Sequence, residues 1–325
     1  MKLDNIGFYT LTDQRAKNSS SNSNLMRCEI LLTPKCNLHC PYCRGLNHKE
    51  LPLTYAQYVL QLWIENGLEN IRFSGGEPTL YPHLKSLIKG CKKANVKRIA
   101  ISTNGTQILD YYKELVDLGI NDFSISLDGG CCSTANKMTG IQNEKSQYFD
   151  TVSRNIRYLS WYNYVTVGTV FDEQNIGDAY ETIRYIDELN PSDIRIISSA
   201  QYNKALNNLK NLPHSILSRH PILNYRINNF RNGRNVRGIK KSDTNKCYLV
   251  RDDVAVAGNY HYPCIIYLRE GGKPIGKIGE NFREERQKWF ENHDTHKDLI
   301  CKNNCLDVCV DYNNKCNSIN QKKGR

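Results

Sequence analysis

Apolar residues recur in two alternating rhythms over the first two-thirds of the chain. Short strand-like runs fall at residues 28–33, 70–74, 96–103, 123–127, 165–171 and 194–197. Between them, residues 54–64, 84–91, 108–118, 146–159 and 179–189 carry apolar positions at helical spacing. Leu84, Leu87, Ile88 and Cys91 share one helix face, and Thr54 is placed to cap the first helix. Strand–helix alternation through six strands predicts a parallel sheet with right-handed crossovers, open or closed into a barrel. In either form the loops after the C-terminal ends of the strands carry function. Residues 1–27 predict a mostly irregular lead-in, residues 28–200 the alternating core, and 201–245 a weakly periodic bridge. A cysteine-rich unit follows at 246–318, with a hairpin at 254–263 turning on Gly258-Asn259, and then a polar tail at 319–325.

Composition narrows the class. The chain has 325 residues with 39% hydrophobic content and a mean hydropathy of −0.59. It contains no apolar run long enough to span a bilayer. Its N-terminus lacks a charged-then-apolar signal layout, so a cytoplasmic protein without a membrane partner is expected. In a reducing compartment thirteen cysteines point to metal or iron–sulfur ligation rather than disulfides. The net charge of +11 is concentrated: residues 194–242 hold ten Lys/Arg and no Asp or Glu. That stretch reads equally well as an anion-attracting surface or as a solvated Asn/Arg-rich linker.

The first cysteine group is Cys36-Asn37-Leu38-His39-Cys40-Pro41-Tyr42-Cys43, directly after the first strand. Three thiolates on one loop can hold three corners of a four-iron cluster and leave the fourth iron open to a small molecule. S-adenosylmethionine (SAM) fits that corner through its amine and carboxylate. A zinc knuckle using His39 is the competing assignment, but zinc motifs favour paired Cys-x2-Cys units.

The Cys-x3-Cys-x-Tyr-Cys loop resembles the signature of the radical SAM superfamily. Gly75-Gly76-Glu77-Pro78, Ser102-Thr103-Asn104-Gly105 and Ser126-Leu127-Asp128-Gly129 follow successive strands and resemble the family's SAM-binding segments. The resemblance implies an α/β fold: a partial (β/α)6 TIM barrel with a small cysteine-rich C-terminal auxiliary-cluster domain. It implies a [4Fe-4S] cluster on Cys36, Cys40 and Cys43 with SAM at its open iron. It places Tyr42 against adenine, and Gly75, Gly76 and Pro78 where the chain approaches the cofactor. Glu77 accepts from the methionyl amine, and Ser102, Asn104 and Ser126 bind the ribose or carboxylate. Val170 borders the adenine pocket, and Lys137 stands where many relatives have Arg, offering a point charge rather than a planar fork.

The second group is Cys247, Cys264, Cys301, Cys305, Cys309 and Cys316. With Gly258 and Pro274-Ile275-Gly276 it resembles the auxiliary-cluster domains called SPASM and twitch, with six cysteines where a full SPASM domain has seven. The resemblance implies at least one auxiliary [4Fe-4S] cluster, with a structural zinc site as the alternative. Cys28 and Cys91 sit on apolar faces as packing residues, while Cys131 and Cys132 carry no assignment.

The implied activity is reductive cleavage of SAM to a 5′-deoxyadenosyl radical that takes hydrogen from a substrate C–H bond. The electron donor would be a flavodoxin- or ferredoxin-type reductase. The expected substrate is a peptide, with a small anionic metabolite such as a nucleotide or sugar phosphate as the alternative. Nucleic acid is a weaker candidate partner. A cluster-bearing binding protein without turnover is a third class, opposed by the intact Glu77 and Asn104. No catalytic side chain is assigned.

Overall fold

A computed structural model of the chain describes residues 13–45, 48–142, 147–198 and 209–323. Its strands are β1 Arg27–Thr33, β2 Asn70–Gly75, β3 Arg98–Thr103, β4 Asp122–Ser126, β5 Tyr164–Phe171, β6 Asp193–Ser198, β7 Asp253–Ala257, β8 Tyr260–Tyr262 and β9 Gly276–Lys277. The helices of the first half are α1 Asp13–Lys17, α2 Leu53–Glu65, α3 Leu84–Lys93, α4 Leu109–Leu118, α5 Cys132–Thr139, α6 Tyr148–Ser160 and α7 Ala179–Glu188. Those of the second half are α8 His214–Leu217, α9 Pro221–Arg231, α10 Ile265–Arg269, α11 Phe282–Asn292, α12 Leu299–Asn304 and α13 Asp307–Lys323.

One nine-stranded sheet runs in the order β6-β5-β4-β3-β2-β1-β7-β8-β9. The first six strands are parallel, as the alternating pattern requires. β7 also joins β1 in parallel, so the cysteine-rich unit extends the barrel sheet, and β8 and β9 add antiparallel edges. The hairpin turns at Gly258, whose φ of 54° suits glycine. α2 starts at Leu53 after Pro52, one residue before the cap expected at Thr54.

The strand register separates two faces. Ile30, Phe73, Ile101, Phe123, Val165, Ile194 and Val256 point to the helices and form the main apolar core with Cys28 and Cys91. The alternate positions carry Glu29, Arg72 and Asp122, with Ser102, Ser124 and Arg195 further along. Period-two alternation thus gives the barrel an apolar outside and a polar, charged inside. Gly168 faces Arg195 on the neighbouring strand, where a Cβ would come within 3.3 Å of the guanidinium. The long Arg195 side chain crosses that gap to donate to Ser124 Oγ at 3.1 Å.

The lead-in differs from its expectation of irregular chain: α1 docks on the C-terminal unit. Arg15 donates to Asp252 at 2.6 Å and stacks over Tyr312, whose hydroxyl also reaches Asp252 at 3.0 Å. α11 closes the other side: Phe282 packs edge-on against Trp63 of α2 at 4.8 Å, and the buried Arg286 binds the Val250 carbonyl at 2.8 Å.

The basic stretch is not a free surface. Arg219 pairs with Asp187, Arg226 with Asp307, Arg234 with Asp311 and Arg237 with Glu270. Acids from outside the stretch therefore absorb much of its charge and tie α9 and the following segment to α7, α10 and α13. Lys204 lies outside the described residues.

Candidate functional site

The loop after β1 carries Cys36, Cys40 and Cys43 as free thiols, two exposed and one half-buried. A glycine pair presses against its base. A Cβ on Gly76 would lie 2.3 Å from the Lys35 carbonyl, and one on Gly75, at φ 142°, would lie 2.5 Å from the Thr33 carbonyl. Gly76 and Glu77 N–H groups donate to the Thr33 and Lys35 carbonyls at 2.7 Å each. The glycines thus allow the β2 turn to seat on the strand that delivers Cys36. At the far end, the His39 N–H donates to the Thr139 carbonyl at 3.1 Å, beside the αL cap Gly140 of α5.

Glu77 is 1% exposed. Its Oε1 accepts from the Thr79 N–H, the Thr79 hydroxyl and the Thr103 hydroxyl at 3.0, 2.7 and 2.8 Å. Its Oε2 accepts from the Asn104 N–H at 2.7 Å. Burial raises its pKa and these hydrogen bonds oppose the rise. Glu77 thereby locks the end of β2 to the end of β3, and Pro78 opens the 3-10 turn that supplies Thr79. Asn104, positioned by this lock, donates to Asn37 Oδ1 at 2.7 Å and lies 3.9 Å from Cys36 Sγ. Ser102 receives a bond from Arg72 at 2.9 Å.

A second lock was not visible in the sequence. Asp128, wholly buried, accepts from the Tyr42 hydroxyl and, at 2.6 Å, from the Val170 N–H. Burial pushes its carboxyl up to about 6 against those two hydrogen bonds. It fixes the Tyr42 ring and so joins the cysteine loop to β4 and β5. Its place in the Ser-Leu-Asp-Gly segment was the available signal. Ser126 is exposed at the end of β4, and Lys137 is exposed on α5. Cys131 and Cys132 sit at the start of α5, where hydroxyls of Ser133 and Thr134 hold the Cys131 thiol below its ordinary pKa.

The second cysteine group gathers in the C-terminal unit. Cys247, Cys264, Cys301, Cys305 and Cys309 line one cavity, among Ile239, Leu249, Ile266, Ile300 and Val310. Cys316 does not line it; it is fully buried behind the cavity wall, in an apolar cluster with Ala16, Tyr248 and Tyr312 that also includes the lining residues Cys247 and Leu249. Burial pushes the Cys247 thiol up to about 12 and raises Cys264 and Cys301. Cys40 of the first loop is likewise pushed up to about 12 by burial and the nearby Asp128. His293, stacked on Trp289 with centroids 3.8 Å apart, brings Nε2 to 3.4 Å from Cys301 Sγ.

Thiol spacing tests which metal fits. Sulfurs bound to one tetrahedral zinc stand about 3.8 Å apart, given bonds of about 2.3 Å. Among the described residues, the one trio of ligand atoms within 4.8 Å of each other is His293, Asp298 and Cys301. Neither the loop thiols nor any three of the cavity thiols meet that limit. Three thiolates on one loop are the donors a four-iron cluster takes, each on a different iron.

The Radical SAM superfamily model matches residues 30–186. Residues 30–186, just under half of the chain, form a radical SAM domain. Members pair a four-iron cluster with SAM, and the loop thiols supply the donors such a cluster takes. A probable GTP 3',8-cyclase of Methanococcus maripaludis is 36% identical over 104 residues, 30% of this chain and 35% of the relative. The molybdenum cofactor biosynthesis protein moc-5 of Caenorhabditis elegans is 25% identical over 231 residues, 68% of this chain and 37% of that protein. The matches thus span little more than a third of those relatives' own length. Among solved structures, anSMEcpe with bound AdoMet and Kp18Cys peptide has a TM-score of 0.58 at 15% identity, covering 91% of this chain and 97% of that one. Streptococcus suis SuiB bound to precursor peptide SuiA has a TM-score of 0.56 at 16% identity, covering 85% of this chain and 66% of that one. The shared fold therefore includes the C-terminal unit, not only the barrel. Among the described residues no helix is long and apolar enough to cross a membrane.

Proposed function

We propose that this chain is a radical SAM enzyme that takes a hydrogen atom from a substrate C–H bond, with a peptide as substrate and one auxiliary cluster. The observation that carries this is the first loop: three thiols after the C-terminal end of β1, two of them exposed, on a base against which the Gly75-Gly76 turn is seated. When bound there, a four-iron cluster supplies the electron that splits SAM into methionine and a 5′-deoxyadenosyl radical.

The chain's own residues then bind, orient and exclude water. Cys36, Cys40 and Cys43 hold the cluster. Gly75, Gly76 and Glu77 keep the β2 turn against its base, and Asp128 keeps Tyr42 in place beside it. Asn104, Ser102, Ser126 and Lys137 offer polar groups toward SAM, and Val170 borders its base. Glu77 acts by positioning Asn104, since its carboxylate already receives four hydrogen bonds. In the C-terminal unit, Cys247, Cys264 and two of Cys301, Cys305 and Cys309 hold the auxiliary cluster. A flavodoxin- or ferredoxin-type reductase supplies electrons.

A peptide is favoured because structures of the same fold over most of this chain were solved with peptides bound. A small anionic metabolite is the second reading, favoured by Arg72 and Arg195 on the inner barrel face and by the nucleotide named in the cyclase relatives. The test is anaerobic reconstitution with iron and sulfide, then reduction with SAM. The expected product is 5′-deoxyadenosine, absent from a Cys40→Ala variant. Zinc without iron in the anaerobically purified protein would remove the basis for the proposal.

A further inference from the structure

Between the two cysteine sites lies a group of arginines with too few acids. Arg44, the residue after Cys43, and Arg237 both pair with the one carboxylate of Glu270. Glu270 follows α10, whose N-cap is Cys264. Arg237 belongs to the segment that pairs with the 305–307 stretch, through the Arg237–Leu306 bridge and the Gly238 N–H bond to the Cys305 carbonyl at 2.9 Å. The adjacent Arg269 reaches back to Ser74 Oγ at 3.1 Å and to Glu29 at 3.6 Å, at the end of β2.

The trio Arg44, Arg237 and Glu270 therefore carries a net charge of +1. The side chain of Arg237 is 10% exposed, and its Nε–H has no hydrogen-bond partner among the described residues. A buried guanidinium donor left unpaired is costly. Arginine pairs with planar or tetrahedral oxyanions through two parallel donors, and one shared carboxylate cannot satisfy both forks.

We propose that Arg237 and Arg44 bind an oxyanion of the substrate, with Glu270 holding the two guanidiniums together until it arrives. This rests on the proposed function, because it places the substrate between the loop thiols and the auxiliary cavity. The oxyanion is a carboxylate if the substrate is an acidic peptide and a phosphate if it is a metabolite. Arg269, beside Glu270 and in contact with the strand that ends in the Gly-Gly turn, fixes the distance from this anchor to the SAM side of the barrel. The anchor thus selects which part of a substrate meets the radical.

The experiment titrates the anaerobically reconstituted full chain with inorganic phosphate and, separately, with acetate, by calorimetry at low and high ionic strength. Saturable binding that weakens with salt is expected. Arg237→Gln should weaken it about tenfold, the usual scale for losing one charge-assisted pair. Glu270→Gln should tighten it, because the competing carboxylate is gone; a purely structural role for the trio gives no such reversal. Preference for phosphate identifies a metabolite, and comparable or stronger acetate binding a peptide carboxylate; both support the anchor. No saturable binding of either anion, equal binding by wild type and Arg237→Gln, or weakening in Glu270→Gln overturns it. Iron content and melting temperature of each variant show that the fold is kept. Formation of 5′-deoxyadenosine by the unmodified chain tests the proposed function separately, so failure of one leaves the other standing.

Discussion

The two cysteine sites are built on opposite plans. The first is a loop at the barrel mouth whose thiols lie largely at the surface, while its supports, Glu77 and Asp128, are buried. The second is a cavity whose cysteines are half-buried or buried among isoleucines, leucine and valine. An exposed donor set on a rigid base suits a cluster that must leave one corner to an exchangeable ligand. An enclosed apolar set suits a cluster that stays put and communicates only through electrons or structure. The contrast teaches that the chain invests its rigidity beneath the first site and around the second.

The sharpest way to break this comparison is to remove one thiol from each. Cys40→Ala should lower 5′-deoxyadenosine formation by more than about 100-fold, beyond the 10–100-fold typical of losing an outer-shell partner. It should still retain the iron of the auxiliary cavity. Cys264→Ala should do the reverse: iron content falls by about one four-iron cluster and SAM cleavage persists. Both readouts, iron per chain and nucleoside per hour, come from the same preparations. If either variant loses both clusters, the two sites are one cooperative unit and the comparison fails.

The next effect concerns what holds the second site to the barrel. Asp252 accepts from Arg15 and Tyr312 in a buried setting. Asp252→Asn leaves the Arg15 charge without its counter-ion, at a cost of about 3 kcal/mol. Urea unfolding should show that loss, and the auxiliary cavity should become more accessible to thiol reagents than the first loop. Equal stability of variant and wild type would mean α1 contributes nothing to the C-terminal unit.

Much of this was legible in the sequence, and the exceptions have physical causes. All six barrel strands lie within two residues of where the short apolar runs placed them, because parallel strands covered by helices are buried along most of their length. The cysteine loop was legible because ligand spacing is local. α5 was missed: Cys132–Thr139 has small and polar residues with no apolar stripe, and the face it buries is mostly Thr134, Ala135, Asn136 and Thr139. α11 and α13 were missed for a related reason: they are polar helices with few apolar residues to mark a face, α11 burying Phe282, Arg286 and Phe290 and α13 Val308, Val310, Tyr312 and Cys316. The pairing of β7 with β1 joins residues more than two hundred positions apart, and no local pattern encodes it. The charge of residues 194–242 suggested an anion surface or a linker; the acids that answer it come from α7, α10 and α13.

Glu77 offers a smaller test, of the rigid base under the first site. Four donors converge on its carboxylate, so Glu77→Gln turns one acceptor into a donor facing donors. The expected cost is on the order of 2 kcal/mol in stability. If Glu77 acts by positioning Asn104, the KM for SAM rises while cluster iron stays constant. A loss of iron equal to that in Cys40→Ala would instead make the glutamate part of the cluster's own support.

The smallest effect separates cysteines that look alike in sequence. Cys316 continues the Cys301, Cys305, Cys309 series, yet it packs with Ala16, Tyr248 and Tyr312 rather than in the cavity. Truncating its side chain to a methyl group removes one buried sulfur and no ligand. Cys316→Ala should therefore cost about 1 kcal/mol in urea unfolding and leave iron per chain unchanged. Cys305→Ala and Cys309→Ala provide the scale: with two of Cys301, Cys305 and Cys309 completing a site that needs four thiols, at least one of these two variants should lose iron. Iron loss in Cys316→Ala would extend the ligand set beyond the residues that line the cavity, and the second site would no longer be the compact cavity that sets it apart from the first.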